Sequence, residues 1–254
     1  MNGLRIGLWF ALAAALLSVR CYVPRVVAQQ PTASSGVEQE FLEAVKKANT
    51  ARIAELLKQN PDVIKARTKN GITPVLLAVY AGHPNIAEAL LATGIEPNIF
   101  EAAATGRVAR VRELLKQNPE LIKAYSADGW TALHLNFGNL EIVKVTLESG
   151  ADIDAISKNA FKATPLQGAA AMQKLELARL LIARGANVNC RGEEGVTPLH
   201  EAAGSGQIEL AKLLLQHGAA LNAKDDHGKT PTTIAFEYKK AEMAAFLREH
   251  GGTE

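Results

Sequence analysis

Thr197-Pro198-Leu199-His200 recurs in altered form as Thr164-Pro165-Leu166-Gln167 thirty-three residues earlier and as Thr230-Pro231-Thr232-Thr233 thirty-three residues later. The same frame runs upstream to Thr131-Ala132-Leu133-His134, and then to Thr73-Pro74-Val75-Leu76 fifty-eight residues before that. Gly71, Gly129, Gly195 and Gly228 stand two places before four of these threonines, whereas Lys162 takes that place in the fifth copy. After each Thr come a short Ala-rich stretch and a longer apolar one, such as Ile208-Glu209-Leu210-Ala211-Lys212-Leu213-Leu214-Leu215, closed by Gly-Ala-x-x-Asn as at Gly218 to Asn222.

Each conserved feature of the frame has a physical role. Glycine takes positive φ in the turn without steric cost, and Pro at the first helical position loses nothing by lacking an N–H. Glycines at the far end (Gly94, Gly150, Gly185, Gly218) suit a left-handed helix cap. Apolar residues spaced three and four apart give each helix one greasy stripe, and a two-helix unit cannot bury such a stripe alone. Stacking on neighbours is therefore required.

This period and turn resemble the ankyrin repeat, from about Val37 to Gly251. The resemblance implies an all-α, ankyrin-type helical solenoid of about seven helix-turn-helix pairs. The approximate repeats are 37–67, 68–98, 99–125, 126–158, 159–191, 192–224 and 225–254. The first and third diverge. Phe41 to Ala66 aligns with Ile99 to Ala124 without a gap, sharing Glu-Leu-Leu-Lys-Gln-Asn-Pro at 55–61 and 113–119. Both lack the Thr-Pro turn, and both are expected to stop their second helix at Asn-Pro, because a residue before Pro avoids the α region. Duplication of a short-plus-full unit accounts for this half of the chain.

The N-terminus is a separate object. Arg5 leads into the apolar run Ile6 to Val19, followed by Val26-Val27-Ala28, which has the small residues of a signal-peptidase site. Residues 1–28 are read as a signal peptide and 29–36, rich in Pro, Ser and Thr, as a flexible linker. Export to a bacterial periplasm or the cell exterior is the expectation, with an uncleaved anchor as the alternative; the run is shorter than the ~20 residues of a membrane span. Cleavage removes Arg5, Arg20 and Arg25, leaving 25 basic against 26 acidic side chains. That balance gives no electrostatic case for nucleic acid or an acidic membrane surface.

No catalytic, cofactor or metal site is expected. All six histidines fall at positions the repeat explains, His134 and His200 closing the Thr-x-x-His turn. No spacing places two metal ligands on one helix face, and no phosphate loop or nucleophile elbow appears. Cys190, the lone cysteine beyond the leader, is read as a spectator thiol. The competing reading is an enzyme accessory or small-ligand binder of the envelope, with a pocket near His134 and His200.

The resemblance implies that a protein partner, its identity unknown, is held by a monomer through turn tips and the inner face of the first helices. Tip candidates are Asp128, Trp130, Glu193 and Glu194, Trp130 being read either as a partner contact or as a ring folded back on its neighbour, and inner-face candidates are Tyr80, Met172 and Tyr238. The pair Glu193 and Glu194, with Glu201, reads either as an acidic patch or as a solvated edge. One region breaks the pattern: the first helix after Thr131 is two residues short, and the turn before Thr164 is two residues long. Phe137, Phe161 and Lys162 lie there beside Trp130, which makes it the expected recognition spot.

Overall fold

A computed structural model describes residues 36–254. The readings of residues 1–28 as a leader and of 29–35 as a linker lie outside these described residues. Gly36, assigned from sequence to the linker, begins the first helix.

The described residues form thirteen α-helices and no strand. They pair in sequence order as α1 (Gly36–Lys46) with α2 (Thr50–Gln59), α3 (Pro74–Tyr80) with α4 (Pro84–Leu91), and α5 (Ile99–Ala104) with α6 (Val108–Gln117). The fourth layer has only a 3-10 turn, His134–Asn136, before α7 (Leu140–Glu148). Then come α8 (Pro165–Ala171) with α9 (Leu175–Ala183), α10 (Pro198–Ser205) with α11 (Ile208–Gln216), and α12 (Pro231–Glu237) with α13 (Ala241–Glu249). First helices stack on first helices, as α1 on α3, α3 on α5, α8 on α10 and α10 on α12; α6 packs on α7 and α9 on α11. The architecture is the seven-layer helical stack expected from the period.

Capping chemistry explains where the helices start. Thr73, Thr164, Thr197 and Thr230 precede Pro at the first position of α3, α8, α10 and α12. In layer 3, which lacks that Thr-Pro turn, Asn98 takes over, forming a reciprocal box with Glu101 at α5, and asparagine also caps the second helices α2 (Asn49) and α7 (Asn139). The Asn-Pro pairs do end α2 and α6, and they also start something the sequence reading did not foresee. Asn60 and Asn118 each accept from the backbone two residues on, launching 3-10 turns at Pro61–Lys65 and Pro119–Lys123. Those turns bury Val63, Ile64 and Ile122.

The buried apolar residues fall into three groups along the stack. One fills layers 1 and 2, one fills the middle around Tyr80, Trp130 and Leu135, and the largest runs from Leu133 to Leu247. The middle group alone contains large aromatic rings among its fully buried members apart from Phe41 in the first. It is also where the repeat is irregular.

Polar side chains rivet the layers together at one recurring place. His134 Nδ1 accepts from the Thr131 hydroxyl at 2.8 Å, and its Nε2 donates to the Ala163 carbonyl of the next layer at 2.9 Å. His200 repeats this with Thr197 and the Lys229 carbonyl at 3.0 Å. Gln167 does the same work as an amide, its Nε2 donating to the Val196 carbonyl at 2.7 Å. Since Gln serves in one layer, the bridge needs only one donor and one acceptor, which a neutral imidazole supplies. Burial pushes the His134 imidazole down to about 4 and lowers that of His200 as well.

A histidine depressed in the folded state stabilises fully above its ordinary value of 6.5, and that stability is lost as pH falls toward 4. His134→Gln should keep both bonds and remove this dependence. Urea unfolding at pH 7.5 and pH 4.5 is expected to show the variant losing less stability than the parent, by on the order of 2 kcal/mol. Identical losses would show that His134 is not titrating in this range.

Candidate functional site

The turn tips are built by a short hydrogen-bonded loop before each helix. Thr68, Ser126 and Asp225 each accept, through the side chain, from the backbone N–H four residues ahead, at Ile72, Trp130 and Lys229. In layer 5 the same bond joins Ser157 to Ala163, six residues ahead, so the two extra residues of that turn sit inside the loop and leave its base unchanged. Backbone bonds then stitch tip to tip: Lys158 N–H to Gly129 O at 2.8 Å, Glu193 N–H to Phe161 O at 3.0 Å, and Asp226 N–H to Glu194 O at 2.8 Å. Gly129 is required here. A Cβ on it would stand 2.7 Å from the Lys158 carbonyl carbon, and its φ is +86°.

Layer 3 has no such tip. The chain passes from Glu96 to the Asn98 cap directly, so the tips of layers 2 and 4 meet across it, and a Cβ on Gly71 would lie 2.7 Å from that of Ala127. Tyr80, at the end of α3, likewise reaches past layer 3 to layer 4. Its ring lies against Phe137 with centroids 6.2 Å apart and planes tilted by 45°.

Layer 4 departs from its neighbours more than the sequence spacing indicates. Instead of a helix two residues short there is a single 3-10 turn. Asn136 stops it, donating to the Leu133 carbonyl at 2.6 Å and accepting from the Gly138 N–H at 2.8 Å. Phe137 is thereby held left-handed, at φ +45°, and remains 37% exposed. Lys162, in the place of the turn glycine, also sits at φ +45°.

Burial separates the ten candidate residues. Of the two readings of Trp130, the ring folded back on its neighbours is the one found, and it is not offered at the tip. The ring is 6% exposed because the enlarged turn of layer 5 lays Phe161 on it, centroids 5.9 Å apart and nearly parallel, while His134 covers another side at 5.3 Å. Tyr80 is equally buried, 6% exposed, and so is part of the core and not an open inner-face residue. Phe161, Asp128, Met172, Glu193 and Tyr238 are half-buried, and Phe137, Lys162 and Glu194 are exposed. The structure gathers Tyr80, Asp128, Trp130, Phe137 and Phe161 around layer 4; Met172 ends α8 and Tyr238 ends α12. Glu194 pairs with His227 at 3.5 Å in the tips of layers 6 and 7.

Two features escaped the sequence reading. Ile156 is 53% exposed in the lengthened turn, where its carbonyl accepts from the Tyr125 hydroxyl. Phe236, 40% exposed on α12, lies under the Arg248 guanidinium at 4.1 Å. Ile156 takes a place that polar side chains fill in the next layers, whereas Phe236 takes one that Ala170 and Ala203 fill as buried residues, so period alone does not mark it as exposed.

The remaining chemistry is structural. Both ring nitrogens of His134 and His200 are engaged in the interlayer bridges, so neither ring is open to a ligand in a pocket. Cys190 is buried beside the Thr164 hydroxyl at 3.1 Å, and burial raises its thiol to about 11. A thiol so disposed is almost wholly unionised at neutral pH. Glu201 lies in α10, apart from the tip carrying Glu193 and Glu194, and burial pushes its carboxyl up to about 8. Among the described residues no group of His, Cys, Asp and Glu is arranged to hold a metal ion, and no helix is long and apolar enough to cross a membrane. A surface groove with a volume of about 410 Å³ lies between α6 and α7, lined by Arg112, Leu115, Lys116, Pro119, Val145, Glu148 and Ser149.

A solenoid whose side-chain chemistry is spent on joining layers, with variable tips left over, defines a repeat protein of the interaction type. Family comparison makes this specific. The model for ankyrin repeats in three copies matches residues 135–225 and 166–254, and that for a single ankyrin repeat matches 70–101. The chain belongs to the ankyrin repeat family. It is similar to ankyrin repeat and SAM domain-containing protein 6 of Rattus norvegicus, 28% identical over 152 residues, covering 59% of this chain and 14% of that protein. It is 30% identical over 160 residues to the B-cell lymphoma 3 protein homolog of Mus musculus, covering 57% of this chain and 35% of that one. With the mitochondrial disaggregase of Bos taurus it shares 28% identity over 187 residues, 68% of this chain and 26% of that protein. The chain thus spans about a third or less of the length of these relatives.

The burial difference between the aromatic residues of layer 4 is open to measurement. Trp130→Ala should destabilise the fold by about 3–5 kcal/mol, as for other large buried aromatics, while Phe137→Ala should cost under about 1 kcal/mol. Denaturant midpoints followed by far-UV circular dichroism test this, and equal effects would contradict the placement of Trp130 in the core.

Proposed function

We propose that this chain is a non-catalytic binding protein, exported from the cytoplasm, that holds a protein partner with its turn tips and first-helix face around layers 4 and 5. Proteins of this family are generally interaction modules, and the stack here buries Trp130 and Tyr80, two other large rings around its irregular layer, in the core. Phe137 carries the reading. It is a large aromatic left 37% exposed, in a left-handed conformation that costs an ordinary residue about 1 kcal/mol or more. Folding returns little for that arrangement, since the ring is not sealed in the core. Regular repeats break their own rules where recognition demands it, and exposed aromatics contribute most when a partner desolvates them. Lys162, exposed and in the same strained backbone region, belongs to the adjacent turn. Location outside the cytoplasm rests on the pattern of residues 1–28.

Affinity capture from the native envelope fraction, with the full chain as bait, tests both the surface and its place. Phe137→Ser should abolish retention of a specific partner, while Phe236→Ser, which alters an equally exposed ring at the far end of the stack, should leave it intact. Retention that is indifferent to Phe137, or lost equally with both variants, would refute the assignment to layer 4.

A further inference from the structure

Two acids at other turn tips have basic side chains beside them. Glu194 faces His227 at 3.5 Å, and Asp226 is held by Arg191 at 2.9 Å. Asp128 differs. Its carboxylate accepts from the Ser126 hydroxyl at 2.7 Å, and among the described residues no basic side chain pairs with it. An anion held by a neutral donor retains its attraction for a positive charge.

What stands beside Asp128 is aromatic. Tyr80 comes up from the end of α3, across the layer that lacks a tip, and its hydroxyl is buried without a hydrogen bond of ordinary geometry. Burial first, and then the charge of the neighbouring Asp128 carboxylate and the hydroxyl's contact with it, keep that phenol protonated far beyond its ordinary range. Phe137 packs on the Tyr80 ring and presents its own ring to solvent. A carboxylate without a counter-cation and an exposed ring face therefore stand on either side of the buried Tyr80 ring where layers 2 and 4 meet. A planar guanidinium satisfies both, stacking on the Phe137 ring while its N–H fork reaches the Asp128 carboxylate.

We propose that Asp128, Tyr80 and Phe137 form a receptor for an arginine side chain presented by the protein partner. This rests on the protein-binding reading above and specifies the chemistry of what is bound. Phe137 supplies the stacking surface and Asp128 the charge, while the buried Tyr80 backs both, its ring under Phe137 and its hydroxyl toward Asp128. The tip-free third layer makes the site possible, because a tip there would separate Tyr80 from Asp128.

The probe is acetyl-Gly-Arg-Gly amide, titrated into the isotope-labelled full chain and followed by NMR, with the citrulline peptide as its uncharged equal in shape. Saturable shifts in the millimolar range are expected at Asp128 and Phe137, at least about fivefold weaker with citrulline. Asp128→Asn keeps an acceptor for Ser126 and should weaken arginine binding about tenfold. Phe137→Leu, which keeps bulk but removes the ring, should weaken it several-fold; dispersed spectra of both variants report that the fold is retained. Equal response to citrulline, an unaltered Asp128→Asn titration, or absence of shifts at these residues would overturn the proposal. A partner captured through Phe137 that shows none of this arginine preference would leave protein binding standing and remove only the arginine receptor.

Discussion

Every layer of this protein has apolar side chains that its own two helices cannot cover, and the stack exists because adjacent layers cover them for each other. Burial of the Leu177, Leu181, Leu210 and Leu214 type of residue, all at 1% exposure or less, supplies the non-directional part of the attraction. Register comes from the bonds that run from His134, Gln167 and His200 to a carbonyl in the following layer. These bonds are modest singly, but each leaves a buried donor or acceptor unsatisfied if the layers slip. Apolar contact thus holds the layers together, and the polar rivets decide how they are aligned.

Much of this architecture is legible in the sequence because it follows from local chemistry repeated at a fixed interval. Thr before Pro, the turn glycine and the Asn-Pro stop each act within a few residues, and they place α3, α8, α10, α12 and the ends of α2 and α6 where the helices occur. The 3-10 turns after Asn60 and Asn118 were missed because side-chain capping by Asn there competes with simple helix termination. The collapse of the first helix in layer 4 escaped for a similar reason: counting residues gave its length, but Asn136 bonding to its own neighbourhood determines that no α-turn forms.

Burial depth at the candidate residues is less legible in the sequence than their neighbourhood in the fold. The coincidence of a short helix and a long turn pointed to layers 4 and 5, and the structure does bring Trp130, Phe137 and Phe161 into that neighbourhood. Which ring faces outward depends on contacts between layers. Phe161, carried by the two inserted residues, lies over Trp130, and nothing lies over Phe137 in the same way. Such pairings join residues thirty or more positions apart, and no local pattern encodes them. The depth of Tyr80 was hidden likewise, because its burial depends on the tip that layer 3 lacks.

That missing tip shapes the surface in one more respect. With Gly71 against Ala127, the ridge of loops is shorter than the column of helices behind it, since two loop ends are brought into touch while their helices remain one full layer apart. The two edges of the solenoid therefore advance by unequal steps at this point. A ligand tracking the ridge would cross from the N-terminal half to the C-terminal half at a single glycine-to-alanine seam, and one tracking the helices would have to traverse the half-buried Ala104 and Thr105 at the end of α5. The same omission thus gives an extended binding partner two routes of different length over the same stretch of chain.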